Sequence, residues 1–220
     1  MTSEHLSWRV ALAPGQSHGF YANPGWWDIR STRREVDDIR ELHHRLLLAL
    51  PPVRPNAAVV DLGAGTGNFV SLLATYYPRV RFTLIDPNAD GLDRAAEKLT
   101  AVHPDLDLSL VVQPIEPESE TPLPGAPFQL ATSTIALHDI VRPAAPDDSD
   151  GQAEHRRRHV ALLRRVWSSL EPGGHLVYLD SMWPGFRVTQ HLDALQTAGF
   201  AEVDVAFVEG RFLVCGGQRV

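Results

Sequence analysis

Residues 59–67 read Val-Val-Asp-Leu-Gly-Ala-Gly-Thr-Gly, a short apolar run followed by three alternating glycines. The apolar run predicts a buried strand, and the next residues, 68–77, have the apolar spacing of a helix. Glycines between a strand and a helix let the backbone turn tightly and let a ligand approach without meeting a Cβ atom. Free N–H groups at the helix start favour an anionic or polar ligand group. The stretch therefore predicts a ligand site at the carboxyl end of a strand, where open α/β sheets bind ligands.

Apolar runs and helical patterns alternate along the rest of the chain. The predicted strands are residues 57–62, 81–85, 108–112, 128–136, 175–179, 203–208 and 211–215, and the predicted helices are residues 35–50, 68–77, 89–102, 152–170 and 188–198. Strands that alternate with helices imply a mainly parallel sheet with helices on both faces. The link Glu209-Gly210 is too short for a crossover, so the last two strands must pair antiparallel. We predict a doubly wound α/β fold whose seven-stranded, mainly parallel sheet ends in an antiparallel hairpin.

Composition excludes several classes of protein. Of the 220 residues, 44% are hydrophobic and 21% charged, as is typical of soluble globular domains. A net charge of −7 argues against a nucleic-acid partner. The single cysteine, Cys215, excludes an intrachain disulfide and a cysteine-based metal cluster. Because the chain start lacks a signal-peptide pattern and no apolar stretch suits a membrane span, we expect a cytoplasmic protein that does not bind a membrane.

Asp86 ends the second predicted strand, about 20 residues after the glycine loop. A carboxylate at this place can accept two hydrogen bonds from the ribose hydroxyls of an adenosine. The alternative is that Asp86 caps the helix predicted over residues 89–102. The glycine loop favours the ribose role. The loop spaces its glycines as G-x-G-x-G, whereas NAD-dependent dehydrogenases use G-x-G-x-x-G.

Five segments in this order resemble the motifs of class I S-adenosylmethionine-dependent methyltransferases. They are residues 59–69, the stretch Thr83-Leu84-Ile85-Asp86-Pro87-Asn88, residues 128–138, the stretch Leu170-Glu171-Pro172-Gly173-Gly174-His175-Leu176, and Ala198-Gly199-Phe200. The resemblance extends over about residues 35–217. It implies a Rossmann-like methyltransferase fold and S-adenosyl-L-methionine as the cofactor.

The resemblance also implies which residues hold the cofactor. The methionine part would be surrounded by Asp61, Gly63, Ala64, Gly65, Gly67 and Ser133. Asp86 would hold the ribose, and the adenine would be flanked by Pro87, Asn88, Ile115 and Glu116. Two segments depart from the family pattern. The usual Gly-Asp after the third strand is Gln113-Pro114-Ile115-Glu116 here, so Ile115 can replace a polar contact with packing. The frequent Phe-Asp of the fourth strand is Phe128-Gln129.

His138 is the candidate catalytic residue. It comes just after the fourth predicted strand and is followed by Asp139. Methyl transfer needs a base only if the acceptor carries a proton that must leave, and an imidazole can take a proton at neutral pH. The alternative is that His138 only shapes the pocket or bonds to a backbone carbonyl. The sequence leaves both roles open.

The acceptor pocket is predicted between the N-terminal segment and the residues after strands four and five. Its candidate residues are Tyr21, Trp26, Trp27, Arg30, His138, Asp139, Trp183 and Arg187. Aromatic walls stabilise planar or cationic molecules, and arginines pair with carboxylates. The tryptophans could equally anchor the lid to the core. We expect residues 1–50 to form a lid segment and helix, and residues 51–220 to form the catalytic domain.

These observations predict an enzyme that methylates O, N or an activated carbon of a small molecule. The resemblance is to family members that modify bacterial secondary metabolites or small acids, and a monomer or homodimer is expected. No metal is expected, because His155 and His159 have a helical i, i+4 spacing without a third ligand, which favours a solvated helix face. The alternatives are a tRNA or protein methyltransferase and a non-methylating S-adenosylmethionine-binding protein.

Overall fold

The computed structural model describes residues 39–142, 149–182 and 186–220. The strands are β1 (Ala58–Leu62), β2 (Arg81–Asp86), β3 (Asp107–Val112), β4 (Phe128–Thr134), β5 (Leu170–Ser181), β6 (Ala201–Glu209) and β7 (Phe212–Gln218). The helices are α1 (Ile39–Leu48), α2 (Asn68–Tyr76), α3 (Ala89–Val102), α4 (Leu137–Ile140), α5 (Ser149–Ser169) and α6 (Val188–Ala198). No helix among these residues is both long and apolar enough to cross a membrane.

Within the described ranges, seven strands form one sheet in the order β3-β2-β1-β4-β5-β7-β6. Strand β7 runs antiparallel to both of its neighbours, and the other neighbouring strands are parallel. The predicted fold is therefore confirmed. The chain builds the sheet outward from β1 to β3 and then returns to the other side of β1 with β4. This reversal places a crevice at the carboxyl ends of β1 and β4, the usual ligand site of such sheets.

Helices cover both faces of the sheet. Helices α1, α2 and α3 pack on one face around Leu46, Leu73 and Leu92, which are buried. Helices α4, α5 and α6 pack on the other face around Leu162 and other buried residues. Because both faces are buried, the central strands are apolar on both sides, which explains why they were recognisable as continuous apolar runs.

Some boundaries differ from those predicted. Strand β5 is longer, because Leu170 already pairs with Phe128 and the Gly173-Gly174 segment bonds to Arg219. Strand β7 continues through Gly216 and Gly217, beyond the predicted end at residue 215. The structure needs a glycine at Gly216, since a Cβ atom there would lie 2.2 Å from the Leu176 carbonyl oxygen. Helix α4 was not predicted, and it begins directly after β4. The division at residue 50 stays a prediction, because residues 1–38 lie outside the described ranges.

Candidate active site

The glycine loop follows β1 and enters α2. Gly63, Gly65 and Gly67 have φ angles of +67°, +51° and +68°, which favour glycine. A Cβ atom on Gly63 would lie 2.4 Å from the Ala136 Cβ atom, whereas one on Gly65 would meet nothing within 4 Å. Gly67 donates to the Ala64 carbonyl oxygen at 2.8 Å, which closes the turn. A Cβ atom on Gly67 would lie 2.7 Å from the Ala95 Cβ atom, so both ends of the loop are tightly packed, and the open space beside Gly65 lies between them, as a ligand cradle requires.

Asp86 ties the glycine loop to the end of β2. Its Oδ2 accepts the Gly65 N–H at 2.9 Å, and its Oδ1 accepts the Asn88 N–H at 2.8 Å. Burial raises the pKa of Asp86, although these two backbone hydrogen bonds lower it. Each carboxylate oxygen keeps a lone pair that could accept a hydroxyl. The cap of α3 is Asn88, whose side chain accepts the Gly91 N–H at 3.0 Å, so Asp86 does not serve as that cap.

Asp61 is a second carboxylate beside this loop. It is buried, and its Oδ1 accepts the Thr132 hydroxyl at 2.7 Å. Burial raises the pKa of Asp61 to about 7; the Thr132 hydrogen bond opposes this, and the charge of Asp86 adds to it. A cation placed near Asp61 and Asp86 would lower both raised pKa values, and the carboxylate forms would stabilise the cation. The site therefore fits the cofactor implied by the resemblance, whose sulfonium and ammonium groups are cationic.

Four other predicted cofactor residues occupy different surroundings. Pro87 and Glu116 are exposed, and Ile115 is buried in the core. Ser133 is fully buried and donates to the Leu62 carbonyl oxygen at 2.8 Å, which ties β4 to β1. Their contact with a cofactor stays a prediction.

His138 lies in α4, at the carboxyl edge of the sheet, and is held by Asp180 at the end of β5. The His138 Nδ1 atom is 2.5 Å from Asp180 Oδ1, and the His138 backbone N–H donates to Asp180 Oδ2 at 3.0 Å. Asp180 is fully buried and also accepts the Ser181 N–H at 2.8 Å. The other ring nitrogen of His138 is 3.4 Å from Asp139 Oδ2. The carboxylate thus fixes both the ring and the backbone of His138.

This contact controls the charge of His138. Burial alone would lower the pKa of His138, but the charge and hydrogen bond of Asp180, with a further contribution from Asp139, raise it to about 9. Burial likewise would raise the pKa of Asp180, and the contact with His138 lowers it overall. At neutral pH the pair is an imidazolium and a carboxylate. An imidazolium donates hydrogen bonds from both nitrogens and has no lone pair to accept a proton.

Asp180 was missed in the sequence, although a signal for it exists. It follows the apolar run predicted over residues 175–179, in the same way as Asp86 follows the run predicted over residues 81–85. The sequence did not show that Asp180 pairs with His138, because His138 belongs to a short helix that is 42 residues away in the chain.

The rest of the predicted acceptor pocket is described only in part. Tyr21, Trp26, Trp27, Arg30 and Trp183 lie outside the described residues. Arg187 is exposed at the start of α6, where its backbone N–H donates to Gln190 Oε1 at 2.8 Å. Asp139 Oδ1 is 3.6 Å from Arg142 Nη1. The structure therefore brings His138 and Asp139 together at the sheet edge and leaves the aromatic wall as a prediction.

Three buried histidines surround Phe186, which follows β5 in the chain. The ring centroids of His155, His159 and His191 lie 5.2, 4.7 and 4.6 Å from that of Phe186. His191 Nδ1 is 3.0 Å from the Tyr178 hydroxyl oxygen. The expectation that His155 and His159 lie on a solvated helix face is wrong, because α5 turns this side toward β5 and α6.

A cavity of about 480 Å³ opens at the opposite, amino edge of the sheet. Arg54, Arg81 and Glu171 line it, and Arg54 forms an ion pair with Glu171. Parallel sheets bind ligands at their carboxyl edge, and this cavity contains none of the predicted site residues. We therefore place the candidate site at the glycine loop.

Comparisons with known proteins find similar proteins over most of the chain. A family profile described as a methyltransferase domain matches residues 30–204. A trans-aconitate 2-methyltransferase of Paracidovorax citrulli is 31% identical over 190 residues, covering 85% of this chain and 64% of that protein. A demethylmenaquinone methyltransferase of Chlamydia trachomatis is 28% identical over 126 residues, covering 57% and 45%. The chain thus spans less than two thirds of the length of these relatives.

The fold is also that of a solved structure. The N-methyltransferase NodS of Bradyrhizobium japonicum, in complex with S-adenosyl-L-homocysteine, superposes with a TM-score of 0.64 at 19% identity. The match covers 90% of this chain and 94% of that one. At this identity the likeness shows the fold alone.

Proposed function

Since this chain belongs to the methyltransferase-domain family, we propose that it transfers a methyl group from S-adenosyl-L-methionine to a small molecule. The observation that carries the proposal is the contact of Gly65 with Asp86, which joins the glycine loop to the predicted ribose carboxylate. The names of the relatives support a small acceptor, since trans-aconitate and demethylmenaquinone are small molecules.

The residues of the site divide the binding of the cofactor between them. When bound, S-adenosyl-L-methionine supplies a methyl group on a sulfonium, ready for displacement by a nucleophile. Asp86 would accept hydrogen bonds from the ribose hydroxyls. Asp61 would provide negative charge near the sulfonium and ammonium groups. The open space beside Gly65 would admit the ligand to the main chain. The protein then contributes mainly proximity and orientation.

The charge of His138 limits what this residue could do to an acceptor. A protonated His138 would bind or orient an acceptor and would not remove its proton at neutral pH. An acceptor that is already ionised, such as a carboxylate, needs no base, and this fits the similarity to a trans-aconitate methyltransferase. Oxygen, nitrogen and activated carbon acceptors all remain within the proposal, as do a role in secondary metabolism, a cytoplasmic location and a monomeric or homodimeric state.

Isothermal titration calorimetry with S-adenosyl-L-methionine tests the cofactor. We expect micromolar binding by the wild type and a loss of binding in Asp86→Ala. Asp90→Ala is the matched control, because Asp90 is an exposed acid in the first turn of α3. The proposal fails if the wild type shows no binding, or if Asp86→Ala binds as the wild type does.

Mass spectrometry tests the transfer itself. The protein would be incubated with the cofactor and a panel of small carboxylic acids, amines and phenols. A product heavier by one methylene group identifies the acceptor class. Modification of tRNA or protein instead, or cofactor binding without a methylated product, would favour the alternatives named from the sequence.

A further inference from the structure

The loop between β3 and β4, residues 113–127, carries the predicted adenine flank Ile115 and Glu116. It contains five prolines, which cannot donate backbone hydrogen bonds. One tie joins it to the site, because the Gln113 N–H donates to the Asp86 carbonyl oxygen at 3.2 Å. The positions of the residues after Gln113 therefore depend on contacts that other elements make with the loop.

Arg165 of α5 holds this loop by two backbone carbonyls. Its Nε atom donates to the Thr121 oxygen at 2.9 Å, and its Nη1 atom donates to the Glu116 oxygen at 2.8 Å. The whole residue is only 7% exposed. A planar guanidinium presents these donors in a rigid arrangement, so two bonds from one side chain fix the relative position of the two carbonyls.

A second contact from the same helix supports the first. The Leu123 N–H donates to Ser169 Oγ at 2.8 Å, and the Ser169 hydroxyl donates to the Arg165 carbonyl oxygen at 2.7 Å. Ile115 and Leu123 are buried in the core that α5 helps to form. Apolar packing therefore docks the loop on α5, whereas the guanidinium orients the peptide at Glu116.

We infer that Arg165 is a positioning residue of the cofactor site, because it bonds to the Glu116 carbonyl oxygen and so fixes the segment that is predicted to flank the adenine. The inference rests on the proposed function, since an adenine is present only if the ligand is S-adenosyl-L-methionine. Burying a guanidinium is costly unless its donors are bonded. Without Arg165, the loop would have to become ordered as the ligand binds, and this ordering would reduce affinity.

Calorimetry with S-adenosyl-L-homocysteine tests the inference. We expect Arg165→Met to bind about tenfold more weakly than the wild type, which corresponds to ~1.4 kcal/mol. Arg165→Lys should be intermediate, because it keeps the charge but not the planar donors. Arg157→Met is the matched control on the same helix and should bind normally, since Arg157 is exposed and paired with Glu154.

Two further measurements separate a positioning role of Arg165 from a purely structural one. Arg165→Met should raise the KM for the cofactor and leave the KM for the acceptor unchanged. In hydrogen exchange, the homocysteine product should protect amides of residues 115–121 in the wild type. Unchanged affinity in Arg165→Met overturns the inference. If that variant does not fold, absence of protection in the wild type overturns it. If the wild type binds no ligand, the proposed function itself fails.

Discussion

The histidines around the sheet edge are charged differently according to their partners. His138 is bonded to a buried carboxylate, so its pKa is raised to about 9 although burial alone would lower it. For His155 and His191, burial has the larger effect. Burial lowers the pKa of each to about 4, despite an opposing contribution from the charge of Asp180. At neutral pH, His138 is therefore an imidazolium, whereas the nearby His155 and His191 are neutral imidazoles.

These shifts predict how stability depends on pH. The contribution of His138 is fully present below its unfolded pKa of 6.5 and is lost as pH rises toward about 9, because the folded state then binds more protons than the unfolded state. The buried histidines act oppositely. As pH falls from 6.5 toward about 4, the unfolded state gains protons that the folded state excludes, and stability falls.

Urea unfolding between pH 5 and pH 9 would measure both effects, with a maximum expected near pH 6.5. His138→Gln should flatten the alkaline fall and keep the acid one. His44→Gln, on the half-exposed side of α1, is the control and should keep both. An unchanged alkaline fall in His138→Gln would contradict the assigned charge of the His138–Asp180 pair.

At the scale of an element, the glycine loop between β1 and α2 contains one position that affects packing, Gly63, and one that is open to a ligand, Gly65. Gly63→Ala places a Cβ atom 2.4 Å from that of Ala136, in addition to its left-handed backbone strain. We expect it to lower the free energy of unfolding by about 2–5 kcal/mol. Gly65→Ala meets no neighbour and should cost only about 1–2 kcal/mol, from backbone strain.

The order of the two variants in ligand binding should differ from their order in stability. Gly65→Ala adds a methyl group to the open side of the loop, so it should weaken S-adenosyl-L-homocysteine binding more than its small stability loss explains. Calorimetry together with urea unfolding measures this. If Gly65→Ala were the less stable variant, or bound the ligand normally, the open space beside Gly65 would not be the ligand cradle.

The C-terminal end of α5 depends on a residue after β7. Arg219 Nη1 donates to the carbonyls of Ser168, at 3.2 Å, and of Leu170, and its guanidinium carbon lies 4.4 Å from the centroid of the Trp167 ring. A cation at a helix C-terminus interacts favourably with the free carbonyls.

We therefore expect Arg219→Ala to destabilise the protein by about 1–2 kcal/mol in urea unfolding. Arg211→Ala is the matched control. Arg211 also lies over an aromatic ring, 5.0 Å from the Phe212 centroid, but it belongs to the turn between β6 and β7. Equal losses in both variants would mean that the helix contact of Arg219 contributes nothing beyond its ring contact.

At the scale of the whole molecule, α5 supports both sides of the candidate site. Its N-terminal half carries His155 and His159, which contact Phe186 near the predicted acceptor wall. Its C-terminal half carries Arg165, which holds the loop of the predicted adenine flank. One helix therefore contacts both the segment near the predicted acceptor wall and the loop of the predicted adenine flank.

Sequence reasoning reached the architecture because its signals are local. Apolar periodicity identified the strands and the main helices, and the short link at Glu209-Gly210 identified the terminal hairpin. The spacing of Gly63, Gly65 and Gly67, with Asp86 at the end of β2, was enough to predict the ligand site. Such patterns depend on neighbours within one or two elements, so a single sequence displays them.

Only the tertiary structure decided the partners of the titratable and charged side chains. Asp180 of β5 contacts His138, which follows the neighbouring strand β4. The burial of His159 depends on how α5 packs on the sheet. Arg165 bonds to backbone carbonyls, which every residue possesses, so its partners leave no mark in the sequence. The sequence by itself determined the fold and predicted where a ligand would bind, because both depend on local patterns of strands, turns and an acid. Which groups are charged and held there depended on contacts between distant elements, which form only when the sheet is assembled.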